Sequence, residues 1–274
     1  MGNCIYCGKP AGFLRNKHKE CAEKHDWGLQ EMVRVVKDAI LSGFLEKLED
    51  NLFSIAGKNF ISTQQVKESM LAGWDKAVEH FLDNGFLDTE EEKRLVAFAE
   101  HFGFSRSDLD NKGSHTRFVQ GAVLRELMDG KTPSRFRMES DVKFNFQKSE
   151  SVIWGFNNVD YYEDKTRRRY VGGSHGMSFR VTKGVYYRIG GFRGHPVEST
   201  ERVHIDTGVL IVTTKHLYFG GHKTSFRIRL DRIVSFTPFS NGIGVQRDAA
   251  SAKPQFFITG EGWFIYNLLN NLNQ

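Results

Sequence analysis

The chain has 274 residues, of which 39% are hydrophobic and 26% charged; it is long enough for two domains and an appendage, and its composition is that of a folded globular protein. No apolar run reaches the roughly 18 residues a spanning helix needs, and the opening Met-Gly-Asn-Cys has no apolar leader core, so the expected location is cytoplasmic, or peripheral to the inner membrane. The formal net charge is +5, and it is unevenly spread: residues 141–274 hold 18 Lys+Arg against 11 Asp+Glu, and residues 1–140 hold 20 against 22, so the basic C-terminal half admits phosphate-bearing partners.

All three cysteines fall in the first 21 residues, in the run Cys4-Ile-Tyr-Cys7-Gly8, then His18-Lys-Glu-Cys21. Two thiolates two residues apart bind one ion from a tight turn. A His–Cys pair three apart suits the first turn of a short helix. Three sulfurs and one imidazole close a tetrahedron with no open position, the pattern of a structural Zn2+ site. A segment of about 25 residues cannot bury enough apolar surface to fold alone, so the metal would supply the missing free energy. The odd cysteine count argues against a disulfide framework. His25 is a spare ligand candidate, read as a polar residue after the knuckle. Residues 1–26 resemble a treble-clef or zinc-ribbon module, which implies a fold device and no particular activity.

From Trp27 to about Gly130 the apolar period is helical. Met32, Val35, Val36, Ala39 and Ile40 recur at steps of three and four, and Phe44, Leu45 and Leu48 extend the stripe. Ser62 with Gln65, and Asp88 with Glu91, are capping-box pairs that open further helices. Gly85 stops the first of them. A last helix runs from near Ser114 to Met128, ended by Gly130 and Pro133. The stretch Phe81-Leu-Asp-Asn-Gly-Phe-Leu-Asp88-Thr-Glu-Glu-Glu92, followed by Phe102-Gly-Phe-Ser105, lacks the alternating acids of an EF-hand. It resembles the helical TerB-like domains of bacterial tellurite-resistance proteins, giving a helical domain over residues 27–132. Residues 131–140 read as a linker.

From Asp141 the period changes to two, with Val142, Phe144 and Phe146 alternating with polar residues. Short strand-like runs follow over 151–156, 159–162, 167–171, 178–181, 185–189, 203–205, 208–213, 216–219, 225–230, 233–236, 243–246 and 255–259, separated by glycines. An apolar-faced helix over 261–272 ends the chain. The predicted class is therefore α+β: a small zinc module, a helical bundle, and an antiparallel β-barrel closed by a C-terminal helix. The stretches Gly208-Val-Leu-Ile-Val-Thr213-Thr-Lys215-His-Leu217-Tyr-Phe219, Ile228-Arg-Leu230-Asp-Arg-Ile233 and Gly242-Ile-Gly-Val245 resemble a bacterial pleckstrin-homology-like or GRAM-like domain over 141–274. That resemblance implies a binding platform for lipids or protein segments, without catalysis.

The densest basic cluster, Lys165, Arg167, Arg168 and Arg169, is expected in a hairpin between Tyr162 and Val171. There it would meet a phosphorylated head group or act as a solvated edge that blocks strand addition. The histidines at 175, 195, 204, 216 and 222 come with no nucleophile elbow and no paired-carboxylate spacing, so no catalytic residues are expected. Trp263 and Phe264 are read as the plug of the barrel. The function expected is a non-enzymatic adaptor that engages a protein partner or an anionic membrane surface, its zinc knuckle serving assembly. The alternative is nucleic-acid binding through the zinc module and the Arg167, Arg168 and Arg169 loop; a weaker one is an enzyme with a histidine-based site.

Overall fold

The computed structural model describes residues 2–13, 15–110, 112–136, 144–170, 179–182, 185–187, 196–249 and 252–272; within 166–170, 179–182, 185–187 and 196–199 it describes the backbone alone. It divides into two compact units, Met1–Asp129 and Gly130–Gln274. No helix of the described residues is long and apolar enough to cross a membrane.

The first unit is helical. Helix α1 (Lys19–Ser42) begins directly after His18 and buries His25, Gly28, Met32, Val36 and Ile40, one face at helical spacing. It ends at Gly43, which takes φ +78° and returns its N–H to the Ala39 and Ile40 carbonyls. The apolar stripe expected to run on through Phe44 and Leu48 is therefore broken. The left-handed Gly43 turns the chain, leaves Phe44 79% exposed, and lets Leu48 open a separate helix, α2 (Leu48–Asn59). Helices α3 (Thr63–Phe81) and α4 (Thr89–His101) start at the two expected capping boxes, both fully formed. A third box, Ser105 with Asp108, opens the short α5 (Arg106–Leu109), and α6 (Ser114–Met128) completes the unit. Met32, Val36, Ile40, Trp74, Val78, Leu95 and Phe98 lie at its core.

Helices α1 and α3 approach closely because Gly73 has no side chain. A Cβ there would lie 2.5 Å from Val36 Cβ and 3.1 Å from the Val33 carbonyl oxygen. Gly73→Ala is expected to cost roughly 1–2 kcal/mol, since the overpacking penalty exceeds the gain in helix propensity. Gly57, within α2, faces open space. Gly57→Ala should leave the melting temperature unchanged or raise it; thermal unfolding of the two variants side by side checks the contrast.

The second unit is a seven-stranded antiparallel sheet with one helix. Its strands are β1 (Val152–Tyr170), β4 (Pro196–Thr213), β5 (His216–Gly221), β6 (Ser225–Arg229), β7 (Ile233–Phe239), β8 (Gly242–Arg247) and β9 (Gln255–Ile258), in the order β6-β5-β4-β1-β9-β8-β7. Strands β2 (Phe179–Thr182) and β3 (Val185–Tyr187) pair separately, within the segment that joins β1 to β4. The first three expected runs merge into β1, and 203–205 merges with 208–213 into β4. The sheet is open: β6 and β7 are its edges, and no ladder joins them among the described residues. This corrects the expected closed barrel. A 3-10 turn at Leu230–Arg232 carries the chain from one edge to the other. Helix α7 (Gly262–Leu272) packs on β7 and β8. Its Phe264 ring lies 4.9 Å from Trp154 and 6.0 Å from Phe156. Phe264, Ile265, Leu268 and Leu269 are buried, so the plug is Phe264 without Trp263, which is 55% exposed.

The alternating Phe144 and Phe146 form no ladder. They lie against Tyr218 of β5, ring centroids 5.9 and 5.2 Å away, and residues 141–143 are outside the described residues.

Candidate functional sites: a metal centre and a basic ribbon

Cys4, Cys7, His18 and Cys21 converge, with one ligand atom from each within 4.8 Å of the others. The turn through Ile5 and Tyr6 is closed by Gly8, whose N–H reaches the Cys4 carbonyl at 2.9 Å and whose φ is +71°. His18 is the residue before α1, and Cys21 lies in its first turn. His18 Nδ1 sits 3.4 Å from Cys7 Sγ and 3.7 Å from Cys21 Sγ. Metal–sulfur and metal–nitrogen bonds of about 2.3 and 2.0 Å in a tetrahedron put donor atoms roughly 3.5–3.8 Å apart, so these spacings fit one tetrahedral ion. The other ring nitrogen, Nε2, donates to the Pro10 carbonyl at 2.9 Å. That bond selects the tautomer and leaves the Nδ1 lone pair facing the sulfurs. The four residues could hold a metal ion.

The electrostatics fit a dication as well. Burial pushes the Cys4 thiol up, but donors from the Cys7, His18 and Tyr6 backbone outweigh it and bring the group down to about 6. Burial and the neighbouring Cys7 and Cys4 sulfurs push Cys21 up to about 11. The Pro10 carbonyl and Cys7 raise His18. Crowded sulfurs resist sharing negative charge, and a divalent cation between them removes that conflict.

His25 is not in the cluster. It is buried, its ring is 4.7 Å from Tyr6, and it accepts from Gln65 Nε2 at 3.1 Å. Tyr6 also meets Phe60 at 6.1 Å. The knuckle thus docks on the helices through Tyr6 and His25. Sequence reasoning missed Tyr6; the one signal for it was an aromatic between two cysteines.

The second feature is the ribbon formed by β1 and β4. Beyond Glu163 strand β9 no longer pairs with β1, and β5 pairs with β4 only over Gly208–Val212. Residues 164–170 and 196–202 therefore pair only with each other among the described residues. The hairpin expected between Tyr162 and Val171, around Lys165, Arg167, Arg168 and Arg169, does not form there: the backbone runs on as a single strand, in keeping with the expected strand-like run at 167–171, and continues the ladder to Tyr170↔Pro196. Lys165 is exposed; the side chains of Arg167, Arg168 and Arg169 lie outside the described residues. The register sets Asp164 opposite Arg202 and Lys165 opposite Glu201, opposite charges that stabilise a cross-strand ladder. At its root Arg202 lies 3.5 Å from Asp164 and stacks 3.4 Å from the Phe256 ring centroid. By sequence, residues 164–203 hold nine Lys+Arg against three Asp+Glu.

The other described polar candidates sit in hydrogen-bond networks. His216 donates through Nδ1 to the buried Glu150 at 2.8 Å. His204 lies 3.1 Å from Thr207 Oγ1 and 3.4 Å from Asp160. Asp206 accepts the backbone N–H groups of Thr207, Lys223 and Thr224. His175 and His195 are outside the described residues.

No family model matches this chain. No curated protein compared with it is significantly similar.

Proposed function

We propose that this chain is a non-enzymatic binding protein whose pleckstrin-homology-like sheet unit engages an anionic membrane surface, and whose structural Zn2+, on Cys4, Cys7, His18 and Cys21, holds an assembly arm on a TerB-like helical unit. The observation that carries the reading is the β1–β4 ribbon, which extends past its neighbouring strands and whose residues 164–170 and 196–202 hold five Lys+Arg against three Asp+Glu. A two-stranded projection with free sides can reach a surface that the sheet cannot, and each Lys or Arg near an anionic leaflet contributes about 1 kcal/mol. The strand order, with the long first strand at its centre and the closing helix on β7 and β8, supports the pleckstrin-homology-like assignment. The three donor sulfurs and one imidazole, with no open position, support zinc in a structural role.

Co-sedimentation with vesicles tests the membrane reading. Anionic vesicles should retain the protein and neutral ones should not, and retention should weaken with salt. Replacing Arg167, Arg168 and Arg169 together by Ala should weaken retention by about a hundredfold. Equal failure on anionic and neutral vesicles would sink the proposal, and retention on an acidic protein column alone would move the reading to a protein partner.

A further inference from the structure

The metal-centred arm carries a second surface. Its two turns each present one large apolar side chain outward: Ile5 is 66% exposed and Phe13 81% exposed. Residues 8–19 contain Lys9, Arg15, Lys17 and Lys19 and no Asp or Glu. Lys9, Arg15 and Lys17 are exposed, and none has an ion-pair partner among the described residues; Lys19 pairs with Glu23 at 3.6 Å. The two turns are stitched together. The Ile5 N–H donates to the Asn16 carbonyl at 2.9 Å, Cys4 N–H to the Lys9 carbonyl at 2.7 Å, and Ala11 N–H to the Gly2 carbonyl at 2.9 Å. Ile5 therefore lies beside the strip that holds Arg15 and Lys17, and Phe13 precedes that strip by two residues.

From this we infer that the arm is a membrane-docking element in its own right, inserting Ile5 and Phe13 into the interface of an anionic bilayer while Lys9, Arg15 and Lys17 meet the lipid phosphates. Two weak signals are what reversible membrane association requires, apolar insertion and basic attraction, and neither suffices alone. The pairing of an aliphatic tip with an aromatic tip favours lipid over nucleic acid, because Ile5 offers no face for a base to stack on. A metal bound by Cys4, Cys7, His18 and Cys21 would fix the Ile5 turn before binding and so lower the ordering entropy that opposes insertion. The inference goes beyond the ribbon proposal and uses none of its residues.

The 274-residue chain, with its metal content measured, is partitioned onto vesicles of phosphatidylcholine alone and of phosphatidylcholine with phosphatidylglycerol. Variant Ile5→Ser/Phe13→Ser should keep its metal and lose about tenfold or more of its binding to the anionic vesicles. Lys9→Glu/Arg15→Glu/Lys17→Glu should lose more and should abolish the salt dependence that the arm contributes. Phe53→Ser removes an apolar residue of α2 that is 59% exposed and should bind like the parent. The inference is overturned if Ile5→Ser/Phe13→Ser partitions like the parent, if Phe53→Ser loses as much, or if the arm variants lose retention on nucleic acid and not on vesicles. The two proposals separate cleanly. If the arm variant binds normally and the Arg167, Arg168 and Arg169 variant does not, the arm falls and the ribbon stands; the reverse result removes the ribbon and keeps the arm; and failure of the parent on anionic vesicles removes both.

Discussion

Cys21→Ser is expected to take bound metal from about one equivalent per chain to a small fraction of one, and to unfold residues 2–18 while α1 to α4 stay folded. The arm has almost no core: among its described residues only Cys4 and Ala11 are buried apolar positions. What holds it is a few backbone bonds, from Cys4, Ile5, Gly8 and Ala11, the contacts of Tyr6 with His25 and Phe60, and the four side chains that could hold an ion. Structural zinc contributes about 10–16 kcal/mol in comparable small modules, far more than this arm's packing can offer. The helical core beneath uses Met32, Val36, Trp74 and Leu95, none of which depends on the ion. The loss should therefore be local. Amide exchange should accelerate at Cys4, Ile5, Gly8 and Ala11 and in the first turn of α1, while exchange around Trp74 keeps its protection. Acid should act like the mutation, since protons compete with the ion for the thiolates and for His18 Nδ1. Full metal retention in the Cys21→Ser protein, with unchanged exchange in the arm, would remove the site as assigned.

The cysteine spacing made the metal cluster legible, because ligand chemistry at fixed intervals survives any ignorance of the fold. Capping was legible for the same reason: Ser62 with Gln65 and Asp88 with Glu91 are local devices, complete within four residues. Features set by distant contacts were hidden. The stripe after Ile40 reads as continuous helix, and only the left-handed turn at Gly43 shows that Phe44 points to solvent. The basic cluster falls partly in a strand-like run, 167–171, and also reads as a hairpin between Tyr162 and Val171, because three consecutive arginines suit a solvated turn as readily as a ladder. Its strand is dictated by partners some thirty residues away, with Lys165 facing Glu201 and Asp164 facing Arg202. Closure of the sheet was likewise out of reach, since it depends on whether β6 meets β7, and a periodicity of two is the same in an open sheet and a barrel. Tyr6 and His25 stand far apart along the chain, and it is the knuckle between them that brings their rings together.

Glu150→Ala is expected to destabilise the sheet unit by roughly 3–5 kcal/mol, the scale for removing one partner of a buried charged network. The Glu150 side chain is fully buried. One carboxylate oxygen accepts from Thr213 Oγ1 and from His216 Nδ1, each at 2.8 Å. The other accepts from the Tyr218 hydroxyl and from the Gln147 N–H at 2.6 Å. Removing the carboxylate strands these donors out of water. Burial alone would raise the Glu150 carboxyl, but Tyr218, Gln147, His216 and Thr213 together hold it down at about 2. The sign follows from that depression. Its stabilisation is complete above the unfolded value of about 4.3 and is lost as pH falls through about 2, and the swing is worth about 3 kcal/mol. Glu150→Gln keeps the shape and removes the charge, so its stability gap to the parent should be constant near neutral pH and should close as the parent is acidified toward pH 2. Denaturant unfolding at a series of pH values measures both curves; a gap that stays constant to the acid limit, or no gap at neutral pH, would refute the assignment. The consequence is local to the start of the sheet. Glu150 lies two residues before β1, next to Ser151, which exchanges hydrogen bonds with Thr214 just past the end of β4. Register shifts at Val152/Trp154, Phe156/Val159 and Tyr161/Tyr162 separate this end of β1 from the Lys165↔Glu201 pair at the base of the projection, so loosening Glu150 should act on this end of the sheet and leave the ribbon's own register intact.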